Sequence, residues 1–294
     1  MSRDLPSPPK KSPGPWRSAW MRLQRQRTAM WALGFIVLVT LLCIGGPWLS
    51  PYLESQQNLD HVKESPGWSH WMGTDQLGRD VATRVLYGGR VSLLVGVVAT
   101  AVAMVIGVIY GMFAGFFGGR VDAAMMRFID ILYGFPFMAF IILLTVVFER
   151  SFVLLFVAIG AVEWLTTARV VRGQVLGLKN QEFVLAARAC GAGAGRILVR
   201  HLLPNVMGQV VIYASLTVPG VMLLEAVLSF LGLGVQPPSS SWGVLIQEGA
   251  SNMESAPWLL VFPGAFFVAT LLALNTLGDA LRDALDPKSS RDGS

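Results

Sequence analysis

Apolar residues run along this chain in stretches too long for the buried face of a soluble helix. No charge falls between Arg27 and Glu54, Arg90 and Arg120, Asp130 and Glu149, His201 and Glu225, or Glu254 and Asp279. Between Arg150 and Arg169 the run is broken only by Glu163. A helix of roughly 17–25 apolar residues crosses the hydrocarbon core while satisfying its own backbone. The pattern predicts an all-α integral membrane protein with six transmembrane helices, over residues 30–50, 91–117, 128–148, 152–168, 206–230 and 257–277. The polar segments mark off a basic disordered tail (1–29), a loop at 51–90, a five-helix core (91–277) that contains a polar insert (169–205), and a C-terminal tail (278–294).

Composition agrees with the pattern. Of 294 residues, 53% are hydrophobic and 14% charged, with a mean hydropathy of +0.56, against about 25% charged in soluble domains. The first span is full length and "GGPWLSPY" offers no small-x-small cleavage site, so an uncleaved anchor is expected. Residues 1–29 hold seven basic side chains against Asp4, and the insert holds six against Glu182. By the bias of lysine and arginine toward the cytoplasm, both termini and the insert are expected inside. The loop at 51–90 is then external. Its "LGRDVATRVLYGGR" reads as an interfacial helix, with Asp80 and Arg84 paired at i,i+4 spacing.

The net charge of +5 is spread through these segments, which argues against nucleic-acid binding. Cys43 and Cys190 fall in different segments and imply no disulfide, and His61, His70 and His201 are too scattered for a metal site. No lysine follows a glycine, so there is no phosphate-binding G-x-x-x-x-G-K-[ST] loop, and no G-x-S-x-G elbow appears. No catalytic residues and no cofactor are expected on this chain.

Small residues recur every fourth position in the second span (Ala99, Ala103, Gly107, Gly111 and Gly115), giving a smooth face for close helix packing inside the subunit or against a second one. Pro136 and Pro219 are expected to bend their spans. Three acids touch the spans. Asp130 stands beside Arg127 as an expected ion pair, whereas Glu163 and Glu225 line a translocation path or pair structurally.

The insert is the unusual element. Its "EFVLAARAC" favours a short helix with Phe183, Ala186, Ala187 and Cys190 along one side, "GAGAG" a turn, and "RILVRHLLPN" a return to the membrane. A helix this short is marginal alone, and on composition it is either held by a partner or an ordinary loop on the headgroups. Glu182, Ala186-Ala187, Gly191 and Leu203-Pro204 resemble the EAA loop of ATP-binding cassette importer permeases. The general pattern has isoleucine ten residues after the glycine, where this chain has His201; the "RH-x-x-PN" form resembles the peptide-importer branch. "GTDQLGRDVATRVLYGGRVSL", "ARVVRGQVLGLKNQEFV", "EAVLSFLGLGVQPPSSSWG" and "LGDALRDALDPK" are similar to the C-type subunit of those importers, and "LLFVAIG" and "SAPWLLVFP" favour its oligopeptide members.

The resemblance implies a type I importer permease fold in a bacterial inner membrane. It implies a B-type permease partner, two cytoplasmic ATPase subunits that carry ATP and Mg, and an external peptide-binding protein that docks at the outer loops, 231–256 above all. The insert would then couple ATPase closure to alternating access. Glu182 would orient its helix, Phe183, Ala186, Ala187 and Gly191 would admit the partner, Arg188, Arg196 and Arg200 would pair with ATPase acids, and Leu203-Pro204 would close the motif. Import of nickel or glutathione by similar machinery, or a membrane scaffold without transport, are the alternatives.

Overall fold

The structure, a computed structural model, describes residues 14–137, 139, 143 and 152–285. Among the described residues the regular structure is helical, apart from an isolated bridge between Thr74 and Asp80. Helix α1 (Pro15–Arg25) occupies part of the stretch expected to be a disordered tail. It folds because Pro15 is preset for a first helical turn and because Ala19 and Leu23, four residues apart, bury against Ala280 and Ala284. Extended backbone at Gln26 (φ −88°, ψ 104°) separates it from α2 (Arg27–Leu49), which is apolar on all sides.

The central rod is α3 (Val81–Phe117). Asp80 starts it by accepting the Thr83 N–H at 2.8 Å, and Gly118 stops it with φ 66°, a left-handed conformation open to glycine. Its 37 residues reach about 55 Å, well past the roughly 30 Å of a hydrocarbon core. Residues 81–90 are therefore the first part of the same helix and run into the span without a break. Asp80 does not pair with Arg84: its side chain is taken by Thr83 and by His70 Nδ1 at 2.9 Å.

Helices α4 (Gly119–Tyr133) and α5 (Phe152–Leu178) follow. Part of the expected crossing at 128–148 lies outside the described residues, but α4 ends at Tyr133 and Pro136 falls in the break after it, where it bends no helix interior. The residue before a proline is steered away from helical backbone, which explains the break. Next come α6 (Glu182–Ala189), α7 (Ala194–Phe230), α8 (Trp242–Ala250) and α9 (Trp258–Leu285). Pro219 does lie inside α7. Among the described residues four helices, within α2, α3, α7 and α9, are long and apolar enough to cross a membrane.

Packing between α3 and α5 is decided by glycine. A Cβ at Gly107 would lie 2.5 Å from Thr167 Cβ, one at Gly111 2.4 Å from the Ala168 carbonyl oxygen, and one at Gly115 2.8 Å from Val175 Cβ. The small-residue stripe thus faces another helix of its own chain. Lipid is as apolar as a leucine side chain, so such contact surfaces, and not hydrophobic exclusion, hold these rods together.

Candidate functional site

The insert is built on the end of α5. Arg172 forks onto the Asp122 carboxylate of α4, with Nη2 to Oδ2 at 2.6 Å and Nε to Oδ1 beside it. Arg169 reaches Asp130 Oδ1 at 2.6 Å and lies 4.3 Å over the Tyr133 ring. Asp130 is therefore paired with Arg169 and not with its helical neighbour Arg127, because α5 brings the longer-range cation onto the same face. Lys179 donates to the Gly115 carbonyl at 2.9 Å, satisfying an acceptor freed where α3 ends. These bonds fasten the base of the insert to α3 and α4.

From that base the chain turns into α6. Glu182 sits in its first turn, exposed, where the positive end of the helix dipole favours an acid. Val184 is 0% exposed and seats the helix among Val171, Val175, Ile197, Leu198 and Leu202. Phe183, Leu185 and Ala186 are exposed, Ala187 is half-buried, and the face of Phe183, Ala186 and Cys190 points outward together with Glu182. Arg188 turns back, with its guanidinium 5.6 Å over Phe116 of α3.

Gly191 ends α6. Its N–H donates to the Arg188 carbonyl at 2.9 Å while the Ala192 N–H donates to Ala187 at 3.0 Å, a pair of bonds that needs a left-handed residue at Gly191 (φ +78°). Nothing lies within 4 Å of where its Cβ would be, so within this chain the turn, and not a close neighbour, demands glycine. The return leg opens α7 with one widened turn over Ile197–Leu202, where the Leu203 N–H reaches back five residues to the Leu198 carbonyl. Pro204, which has no N–H to give, follows directly. Leu203 packs on the cluster that holds Val184, while Pro204, Arg196 and Arg200 are exposed.

The described geometry is that of a small helix clipped beneath a bundle, with its acid and apolar side chains turned out. Residues 107–291 match the model of the binding-protein-dependent transport system inner membrane component, and residues 14–66 match the N-terminal transmembrane domain of oligopeptide transport permease C. The chain belongs to the binding-protein-dependent transport permeases. It is 52% identical to the oligopeptide transport system permease protein OppC of Escherichia coli K12, over 93% of this chain and 91% of that protein. It is 44% identical to the dipeptide transport system permease protein DppC of Bacillus subtilis (94% and 86%) and 42% identical to the glutathione transport system permease protein GsiD of Shigella flexneri (93% and 91%).

The permease keeps Glu163 and Glu225 apart from the insert. Glu163 is half-buried on α5; Tyr213 of α7 stands near it, and Thr166 beside it bonds the Tyr133 hydroxyl. Glu225, expected along a path, is 0% exposed near the other end of α7. Its carboxylate accepts from Ser229 at 2.7 Å and from Ser92 of α3 at 3.2 Å, and Ser92 in turn accepts the Trp242 N–H at the start of α8. A buried acid is satisfied by such hydroxyls, and here they tie three helices together.

A second charged cluster was not legible in the sequence. Arg84, 3% exposed, donates to Asp75 Oδ2 at 2.7 Å and forks onto Glu248 of α8 at 2.6 and 3.2 Å; Arg79 joins Asp75 at 2.6 Å. These groups line a cavity of about 520 Å³ between the 51–80 loop, α8 and α9. Breaking a buried pair leaves an uncompensated charge. Arg84→Met is therefore expected to destabilise the permease by about 3 kcal/mol, at the low end for such changes because Arg79 stays on Asp75. Thermal unfolding of the purified protein checks this, and an unchanged midpoint would show that the network is not structural.

Val184, Leu185, Asp122 and Arg172 are the site residues that sequence reasoning missed. A valine inside "EFVLAARA" carries no signal of which helix face is inward. The Asp122–Arg172 pair spans 50 residues and has no local spacing to betray it.

Proposed function

We propose that this chain is the C-type transmembrane subunit of an ATP-driven peptide importer, with six crossings, both termini cytoplasmic, and α6 as the helix that a cytoplasmic ATPase grips. The observation that carries this is the seating of α6: one buried side chain, Val184, clips it to α5 and α7, and Glu182, Phe183, Leu185 and Ala186 are presented outward. A helix of eight residues does not hold itself in water, and its exposed apolar side chains suit a groove in a partner. Identity of 52% to an oligopeptide transport permease and 44% to a dipeptide transport permease supports peptide as the cargo.

In this reading ATP and Mg bind to two ATPase subunits, whose closure moves the groove and α6 with it. The motion passes to α5 and α7 through the Val184 cluster and through Arg172–Asp122. Coupling requires that contacts differ between the two states of the motor. Glu182 orients α6, Ala186, Ala187 and Gly191 keep the partner close, and Arg196 and Arg200 supply cations at the rim. A B-type permease completes the path, with Glu163 lining it, and an external binding protein delivers peptide at the outer loops. Glu225, fully enclosed, braces the outer half of the bundle.

Gly191→Trp tests the coupling role. Membrane insertion is expected to persist, while uptake of labelled tri- to pentapeptides in a deletion strain and co-purification of the ATPases are lost. Wild-type uptake by that variant would refute the assignment. The glutathione permease at 42% identity favours a second reading, glutathione as cargo. Competition between labelled peptide and glutathione for uptake separates the two.

A further inference from the structure

We propose that α1 is a lipid-sensing helix that lies on the bilayer surface and recognises anionic headgroups. The apolar side of the helix is only partly covered. Ala19 and Leu23 are buried against Leu277, Ala280, Leu281 and Ala284 of α9, and Arg22 donates to the Ala284 carbonyl at 3.4 Å. Beside that seat, Trp16 and Trp20 fall four residues apart, on one side of the helix, and remain 52% and 48% exposed. Two neighbouring indoles left half-exposed on a short helix are costly in water. At a membrane interface they are favoured, because the ring is amphipathic and the N–H finds headgroup acceptors.

What covers them is indicated by continuity and by charge. A single extended residue, Gln26, joins α1 to α2, a span long and apolar enough to cross the membrane, so α1 leaves the bilayer at its surface. Trp31, one turn into α2, is 80% exposed and marks the same level. Arg17, Arg25 and Arg27 are exposed around this corner, and the sequence holds no acid from Leu5 to Leu53. A helix with aromatic anchors on one side and arginines around it seats in the interface plane. Each basic residue near an anionic surface is worth about a fivefold change in the seated population.

The fixed end of this helix gives the contact a consequence. Because α1 rests on the last turns of α9, lipid that seats α1 also restrains the end of a membrane-crossing helix.

The test uses the full-length chain in vesicles of pure phosphatidylcholine or with 30 mol% phosphatidylglycerol, each containing lipid brominated near the headgroup end of the acyl chain. The quenching due to α1 is the difference between wild type and Trp16→Phe/Trp20→Phe. That difference is expected to be present, to grow with the anionic lipid, and to fall with salt and in Arg17→Gln/Arg25→Gln/Arg27→Gln, whose side chains are exposed and leave the α9 seat intact. No quenching from α1 in either lipid would overturn the proposal. Equal quenching in both lipids, unmoved by the arginine changes, would overturn the headgroup selectivity. Loss of quenching only when cytoplasmic partner subunits are added would show that this face belongs to a protein.

Discussion

Gly111→Leu is expected to abolish accumulation of the folded permease. At this position even a methyl group would sit 2.4 Å from the Ala168 carbonyl oxygen, 2.9 Å from Val171 Cβ and 3.0 Å from the Arg172 backbone nitrogen. Two of the three are backbone atoms, which cannot rotate aside, so α5 itself must move away from α3. Overpacking of a core costs about 1–3 kcal/mol where side chains can adjust, and more is expected where a helix must shift. Displacing α5 also draws Arg172 off the buried Asp122 and slides Val171 and Val175 from under Val184. Fluorescence-detected size exclusion and protease resistance in membranes measure the outcome. Gly173→Ala, on the facing helix α5 with nothing within 4 Å of its Cβ, is the control and should behave as wild type. A monodisperse, transport-competent Gly111→Leu would show that α3 and α5 do not meet along this face.

Val184→Asp should leave the bundle assembled but release α6. The side chain is completely enclosed among apolar neighbours, and an unpaired carboxylate there carries a penalty of several kcal/mol. Releasing the helix relieves it. That route is open because α6 has few other ties: Arg188 and the turn at Gly191 are both solvent-exposed, and an exposed cation over the half-buried Phe116 ring contributes only about 0.5–1 kcal/mol. Hydrogen exchange is expected to show residues 182–192 losing protection while α3 and α9 keep theirs, and peptide uptake to fall to background. Val184→Ile, which keeps an apolar side chain of nearly the same volume, should retain most of the uptake. Phe183→Asp separates the two sides of the helix: it should impair uptake with the exchange of α6 unchanged, because Phe183 points away from the bundle. If Val184→Asp leaves uptake intact, α6 is not the handle.

Much of this was readable along the chain, for reasons that are local. Uninterrupted apolar runs announce helices in lipid at α2, α3, α7 and α9, since a crossing segment must satisfy its own backbone wherever its neighbours lie. The insert was readable because a helix of eight residues and the glycine that ends it obey rules spanning only one or two turns. The same locality explains the errors. Helical spacing, visible in sequence, pairs Asp130 with Arg127 and Asp80 with Arg84, whereas Arg169, His70 and Glu248 arrive from other segments. Residues 15–25 read as part of a disordered tail because Ala19 and Leu23 have no reason to be buried until the end of α9, more than 250 residues later, is placed beside them.

From its sequence alone this protein is committed to lipid and to an insert with a short helix, because hydropathy and turn chemistry act within one element. Only the tertiary structure decided which side of that helix is held and which is offered, that the glycine stripe serves α5 of the same chain, and that Glu225 is enclosed. Those outcomes depend on which surfaces meet across long stretches of chain, and the approach of one rod to another is settled by shape and charge that no single stretch contains.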